Sequence, residues 1–224
     1  MRILHRGTGK TVLRAGPAPD AGNVCPAVAL RPEPLYEGGM TVKPRRATYR
    51  HGNLRSAALK AATRLVAQSG HERLSLREVA DAVGVAHRSL YNHFADREAL
   101  LDAVATEAYM RLAARLVKAE SPDDYTSIYV RFALANRALY VLMTSRPHAT
   151  MKRNPPLQTA VHKVITEAMR IFCQDIADPA ARRRAVMKVY ITLYGGISLY
   201  AAGVLDQPSE KALIAELSAM NAGK

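Results

Sequence analysis

His87, Arg88 and Ser89 stand side by side at the start of a short segment anchored by Leu90 and Phe94, four residues apart. All three carry hydrogen-bonding side chains, and an arginine fork matches the guanine edge in the DNA major groove. The chemistry on offer is recognition rather than bond making. Tyr91 adds a hydroxyl that suits a phosphate oxygen, against the simpler reading of a half-buried packing aromatic. The start of a helix also attracts phosphate through its free N–H groups.

Other chemistries are poorly provided for. No helix sets a nucleophile beside a base, no carboxylate pair falls in an apolar setting, and no cofactor motif survives inspection, so an enzyme is not expected. The seven histidines form no HxxxH or HExxH array, and Cys25 and Cys173 form no CxxC. No metal, no cofactor and no disulfide framework is therefore expected, and a reducing, cytoplasmic setting fits best. The run GTGKT at residues 7–11 looks like the end of a phosphate loop. That pattern needs a glycine five residues before Gly9, where Leu4 stands, and no strand precedes it.

Something must hold residues 87–89 outward. Leu54, Ala58, Ala61, Ala62 and Leu65 recur with the period of an amphipathic helix, which Gly70 ends. Ser75 and Glu78 form a capping box, with Leu74 and Val79 as its hydrophobic staple, so a second helix starts at Leu76. Gly84 stops it. A third helix is expected from His87 to Phe94. Asp96 caps a fourth, with Leu100, Leu101, Val104 and Ala108 facing inward. Two short helices joined at a glycine turn make a helix-turn-helix, whose second helix enters the major groove.

Charge agrees. The chain of 224 residues carries a formal net charge of +13, which points to a polyanionic partner. Residues 40–100 hold 11 Lys and Arg against 5 Asp and Glu. That clustering favours double-stranded DNA over an anionic membrane. The uncharged run from Val189 to Leu205 sits at the lower limit for a spanning helix, but its three glycines and three tyrosines fit a helix buried in a protein interface better.

The whole chain from Arg45 onward reads as helical, and the fold class is all-α. SPDD at 121–124 opens a helix to about Asn136, with a further segment to Thr144. Residues 146–156 read as a loop because of Pro147, Pro155 and Pro156. A long helix is expected from Leu157 to about Ile176, another after Asp178-Pro179, and a last one after 207–210. Residues 1–39 hold 5 of the 12 prolines and 6 of the 13 glycines. They read as a disordered extension before a natural start at Met40. The resulting division is an extension over 1–44, a helix-turn-helix DNA-binding domain over 45–95, and a larger helical domain over 96–224.

The stretch LSLREVADAVGVAHRSLYNHFADREALLDAV, and the GV-x-x-x-x-LY-x-HF spacing inside it, resembles the DNA-binding domain of the tetracycline-repressor (TetR) family. The resemblance runs from Tyr49 to about Val104. It implies a homodimeric, all-helical regulator that binds a palindromic operator and answers to a small molecule, with 96–224 as its ligand-binding and dimerisation domain. By that resemblance bases are read by His87, Arg88 and Ser89, with Arg77 assisting. Phosphates fall to Tyr91, Asn92, His93 and Arg97, and an arm of Arg45, Arg46, Arg50 and His51 reaches the backbone. The usual Ser or Thr cap of the third helix is Ala86 here, which forfeits about 1 kcal/mol. YVRFALANRALYVLM at 129–143 resembles one branch of the family, whose Trp-His-Gly signature is replaced by Tyr194, Gly195 and Gly196.

A ligand-responsive repressor is the leading reading. The alternative is a DNA-binding regulator that takes no ligand and recruits a protein partner. A pocket would separate the two, and Tyr129, Phe132, Tyr140, Met143, His162, Met169, Tyr190 and Tyr194 are the candidates to line it. For the homodimer, Leu213, Leu217 and Met220 recur along the last helix, and Gly195, Gly196 and Ala201 permit close approach on the one before it.

Overall fold

Ser75 begins the second helix as its neighbours require. Its backbone is extended, its Oγ accepts from the Glu78 N–H at 3.1 Å, and the Glu78 carboxylate accepts from the Ser75 N–H at 2.9 Å. The structure, a computed structural model, describes residues 51–222, with side chains from Leu54 onward. The expectations for residues 1–50, and for the His51 side chain, lie outside the described residues. The described residues all fall in one compact unit. Among them the only regular elements are ten helices: α1 (His51–Ser69), α2 (Leu76–Val83), α3 (His87–Tyr91), α4 (Arg97–Leu116), α5 (Pro122–Ala135), α6 (Arg137–Thr144), α7 (His148–Arg153), α8 (Pro155–Phe172), α9 (Pro179–Ala201) and α10 (Glu210–Ala222).

The first three helices form where they are expected, with two differences: Leu65 is only half-buried and Val66 takes its place in the stripe of α1, and α3 is shorter than expected. Leu54, Ala58, Ala61, Ala62 and Val66 form the buried stripe of α1, and Leu74 and Val79 close beneath it. Gly84 takes φ 75°, a left-handed conformation that costs other residues about 1–2 kcal/mol. The Val85 N–H then reaches back to the Ala80 carbonyl at 3.0 Å. Leu90 and Phe94 fasten α3 to this small core, and the Arg55 guanidinium lies over the Phe94 ring. The helix itself ends at Tyr91, not Phe94: Asn92 is its C-cap, and Phe94 packs from just beyond.

α4 starts on the Asp96 cap, whose Oδ1 accepts from the Ala99 N–H at 2.7 Å. It runs through the centre and packs most extensively on α8. The expected loop at 146–156 is corrected: it contains α7, and α8 begins at Pro155. Prolines are barred from helix interiors but suit the first turn, where an N–H has no partner to lose. Asn154 serves as cap, its Oδ1 accepting from the Leu157 N–H. At its other end α8 stops at Phe172, short of Ile176.

α10 lies against α5 and α9. This corrects the dimer expectation for three residues. Leu213 and Leu217 are buried within their own chain. Gly196 permits close approach, but to Leu217: a Cβ there would stand 2.4 Å from a Leu217 methyl. A helical period shows that a face is buried; it does not show whether the cover is the same chain or a copy. The apolar face left outward on α9 is a different one, formed by Met187, Ile191, Tyr194 and Leu199, with open space at Gly195. Ala201 is half-buried, and Met220 is exposed on α10.

Candidate DNA-reading face and ligand cavity

The capped α2, the glycine turn and the two anchors of α3 leave one edge of the molecule polar and uncovered. Arg77, His87, Arg88, Tyr91 and Asn92 are exposed there, while Ser89 and His93 are half-buried. Neither Arg77 nor Arg88 forms an ion pair among the described residues. His87 and Tyr91, one turn apart, meet edge to face with ring centroids 5.1 Å apart. Ala86 leaves the start of α3 without a side-chain cap. Free N–H groups and uncommitted side chains thus share one short surface, suited to an anionic groove.

Arg97 does not belong to that surface. Its Nε donates to the Leu74 carbonyl at 2.7 Å, and one terminal nitrogen donates to the carbonyls of His71 and Glu72 at 2.5 and 3.0 Å. The other donates to Glu98 at 2.5 Å. A guanidinium has five N–H donors, and four are spent on its own chain, so no fork remains for a phosphate. Arg97 instead ties the start of α4 to the turn between α1 and α2.

From Arg97 a polar chain continues inward. Glu98 also accepts from Arg146 at 2.7 Å, Arg146 reaches Asp102 at 3.3 Å, and the Asn154 amide donates to Asp102 at 3.2 Å. Arg146 and Asp102 are almost wholly buried. Burial opposes the charge on Glu98, but the guanidinium groups of Arg146 and Arg97 outweigh it and hold its carboxyl below the usual range. The chain ends at Asn154, the cap of α8, beside α7.

α8 and α7 form part of the wall of a cavity of about 610 Å³, with α4, α5 and α9 supplying the rest. Of the expected lining residues, Tyr129, Met169 and Tyr190 are there. Phe132, Tyr140 and Met143 are not: all three are buried in the core. His162 is exposed on α8 outside the lining, and Tyr194 stacks on Tyr190 at 6.0 Å from the exposed side. Sequence reasoning missed Tyr109, Tyr125, Met151, Val164 and Arg182 among others. Tyr109 was legible, because it continues the inward stripe of α4 one turn after Ala105. The Tyr109 hydroxyl donates to the Met143 carbonyl at 2.9 Å. Burial raises the pKa of Tyr109, Tyr125 and Tyr129, so the wall carries no phenolate near neutral pH. Among the described residues no group of His, Cys, Asp and Glu could hold a metal ion. No helix there is long and apolar enough to cross a membrane.

Comparison with known proteins agrees with both halves. Residues 58–104 match the model of bacterial regulatory proteins of the tetR family, and residues 125–220 match a tetracyclin repressor-like C-terminal domain. A curated relative, the HTH-type transcriptional repressor AcnR of Corynebacterium efficiens, is 26% identical over 167 residues, covering 67% of this chain and 84% of that one. A solved protein of unknown function from Rhodococcus sp. RHA1 is 30% identical with a TM-score of 0.65, covering 78% of this chain and 96% of its own. A TetR transcriptional regulator from the same organism has a TM-score of 0.57 at 22% identity, over 77% and 98% of the two chains.

Proposed function

Because the chain belongs to the TetR family of bacterial transcriptional regulators, we propose that it is a homodimeric repressor released from its operator by a small apolar ligand. Residues 45–95 read DNA in this account, and 96–224 hold the ligand and pair with a second copy. His87, Arg88 and Ser89 face base edges, with Arg77 assisting. Tyr91, Asn92 and His93 face the backbone, and the arm of Arg45, Arg46, Arg50 and His51 extends that contact.

The observation that carries the ligand is the course of α4. Its first residue, Arg97, holds the turn below the reading helices, and Tyr109, twelve positions on, is a wall of the cavity. At 1.5 Å per residue one rigid rod joins the two sites over about 18 Å. In a symmetric dimer the two reading helices must sit about 34–36 Å apart to meet both half-sites. A ligand that fits better when α4 is tilted moves them out of that spacing. It acts only through its differential affinity, so 100-fold release needs about 2.7 kcal/mol of coupling.

The test has two steps. An operator is selected from random duplexes by the full chain, and its release is then followed by fluorescence anisotropy across a panel of apolar metabolites. At least one compound should both bind the free protein and release the operator. A panel in which nothing binds would favour the partner-recruiting reading.

A further inference from the structure

We propose that the cavity takes an amphipathic acid, its apolar body seated among Tyr129, Val164, Met169 and Tyr190 and its single anionic group held by Arg182 and Arg183. This names the chemical class of the ligand and rests on the ligand-responsive reading above.

The wall decides the body. It is almost entirely aliphatic and aromatic. The Tyr109 hydroxyl is turned to the Met143 carbonyl, and that of Tyr125 points to the Val164 carbonyl at 3.5 Å. A sugar or other hydroxyl-rich ligand would bury polar groups there without partners. The lining contains no aspartate or glutamate, and its tyrosines stay neutral.

The first turns of α9 decide the head. Arg182 and Arg183 are the only charged residues of the lining. The acids nearby are committed elsewhere: Asp178 accepts from the N–H groups of Ala180 and Ala181 at 3.2 and 2.9 Å and pairs with Arg184 at 3.6 Å, and Glu167, beside Tyr125, pairs with Arg170 at 2.7 Å. Arg182 is held in place by its Nε, which donates to the Ile176 carbonyl. Its terminal nitrogens make no hydrogen bond among the described residues. Arg183 is exposed and makes no ion pair among them. Two guanidinium groups with no acidic partner among the described residues, at an otherwise uncharged cavity, attract an anion and repel a cation, and an arginine fork matches a carboxylate.

Calorimetric titration of the full chain with dodecanoate, dodecan-1-ol and dodecylamine tests this, since the three share a tail and differ in head. Dodecanoate should bind at least tenfold more tightly than the alcohol at low salt, the amine weakest, and the gap should narrow with salt. Arg183→Gln and Arg182→Gln should each reduce the advantage of the acid several-fold and leave the alcohol unchanged, which also shows that the variants are folded. Equal binding of acid and alcohol overturns the proposal, as does an acid preference that survives the double substitution. Operator release is measured in parallel. An acid that binds as expected without releasing DNA leaves the acid site standing and counts against the ligand-responsive reading at this cavity. Release by acid and alcohol alike does the reverse. If none of the three binds, the acid site falls, and the ligand-responsive reading is decided by the metabolite panel.

Discussion

Arginines 88 and 97 lie nine positions apart and have opposite duties. Arg88 is exposed and makes no ion pair among the described residues, so Arg88→Ala should cost roughly 1–3 kcal/mol on the operator and much less on random DNA. Arg97 is spent on three carbonyls and Glu98. Arg97→Ala should lower thermal stability by about 1–3 kcal/mol, as unsatisfied groups do. It should weaken both DNAs together while leaving the salt dependence of binding unchanged. A slope smaller by about one unit would restore the phosphate role instead. Glu98 adds a pH signature. Its folded pKa is depressed below 4.5, so its contribution is present above that value and fades as pH falls through the folded pKa. Melting curves of Glu98→Gln should therefore lie below those of the parent chain at pH 6 and converge with them in acid.

At the scale of helices, α9 has two apolar faces with different covers. Leu217 fills the inner one against Gly196, so Leu217→Glu should unfold the chain rather than split a dimer, and Gly196→Ala should cost about 1–3 kcal/mol through overpacking. Ile191 is 60% exposed on the outer face. Ile191→Glu should keep the circular dichroism spectrum and melting behaviour of a folded helix bundle and sediment as a monomer. A dimer unchanged by it would remove the α9 face as the interface. The same contrast shows what could be read in advance. The capping box at Ser75, the turn at Gly84 and the stripe of α1 are local, with causes lying within a few residues, and the sequence spells them out. The partner of Arg97 lies 23 positions away at Leu74, and the cover of Leu217 lies on another helix. Spacing along one element carries no information about either. The cavity was legible only in part for the same reason: of eight expected residues Tyr129, Met169 and Tyr190, on three different helices, line it, while Phe132, Tyr140 and Met143, aromatic or Met residues of the same kind, are claimed by the core.

Across the whole molecule, the chain from Asn154 through Asp102, Arg146 and Glu98 to Arg97 runs parallel to α4 and joins the cap of a cavity helix to the reading head. Asp102→Asn should leave ligand affinity in the free protein within a few-fold of the parent value. It should also reduce the factor by which operator DNA weakens that ligand. Ligand titrations with and without operator measure that factor directly, and an unchanged ratio would place the coupling in α4 packing alone.

The outward stripe of α9 has one more consequence, in the arithmetic of the cell. If two copies must meet along it before both half-sites can be held, then below the dimerisation constant the binding-competent species varies as the square of the chain concentration. Halving synthesis would cut operator occupancy about fourfold in that regime. A regulator of this design is switched by its own dosage as well as by its ligand, and each cell division that dilutes it moves the target gene toward expression.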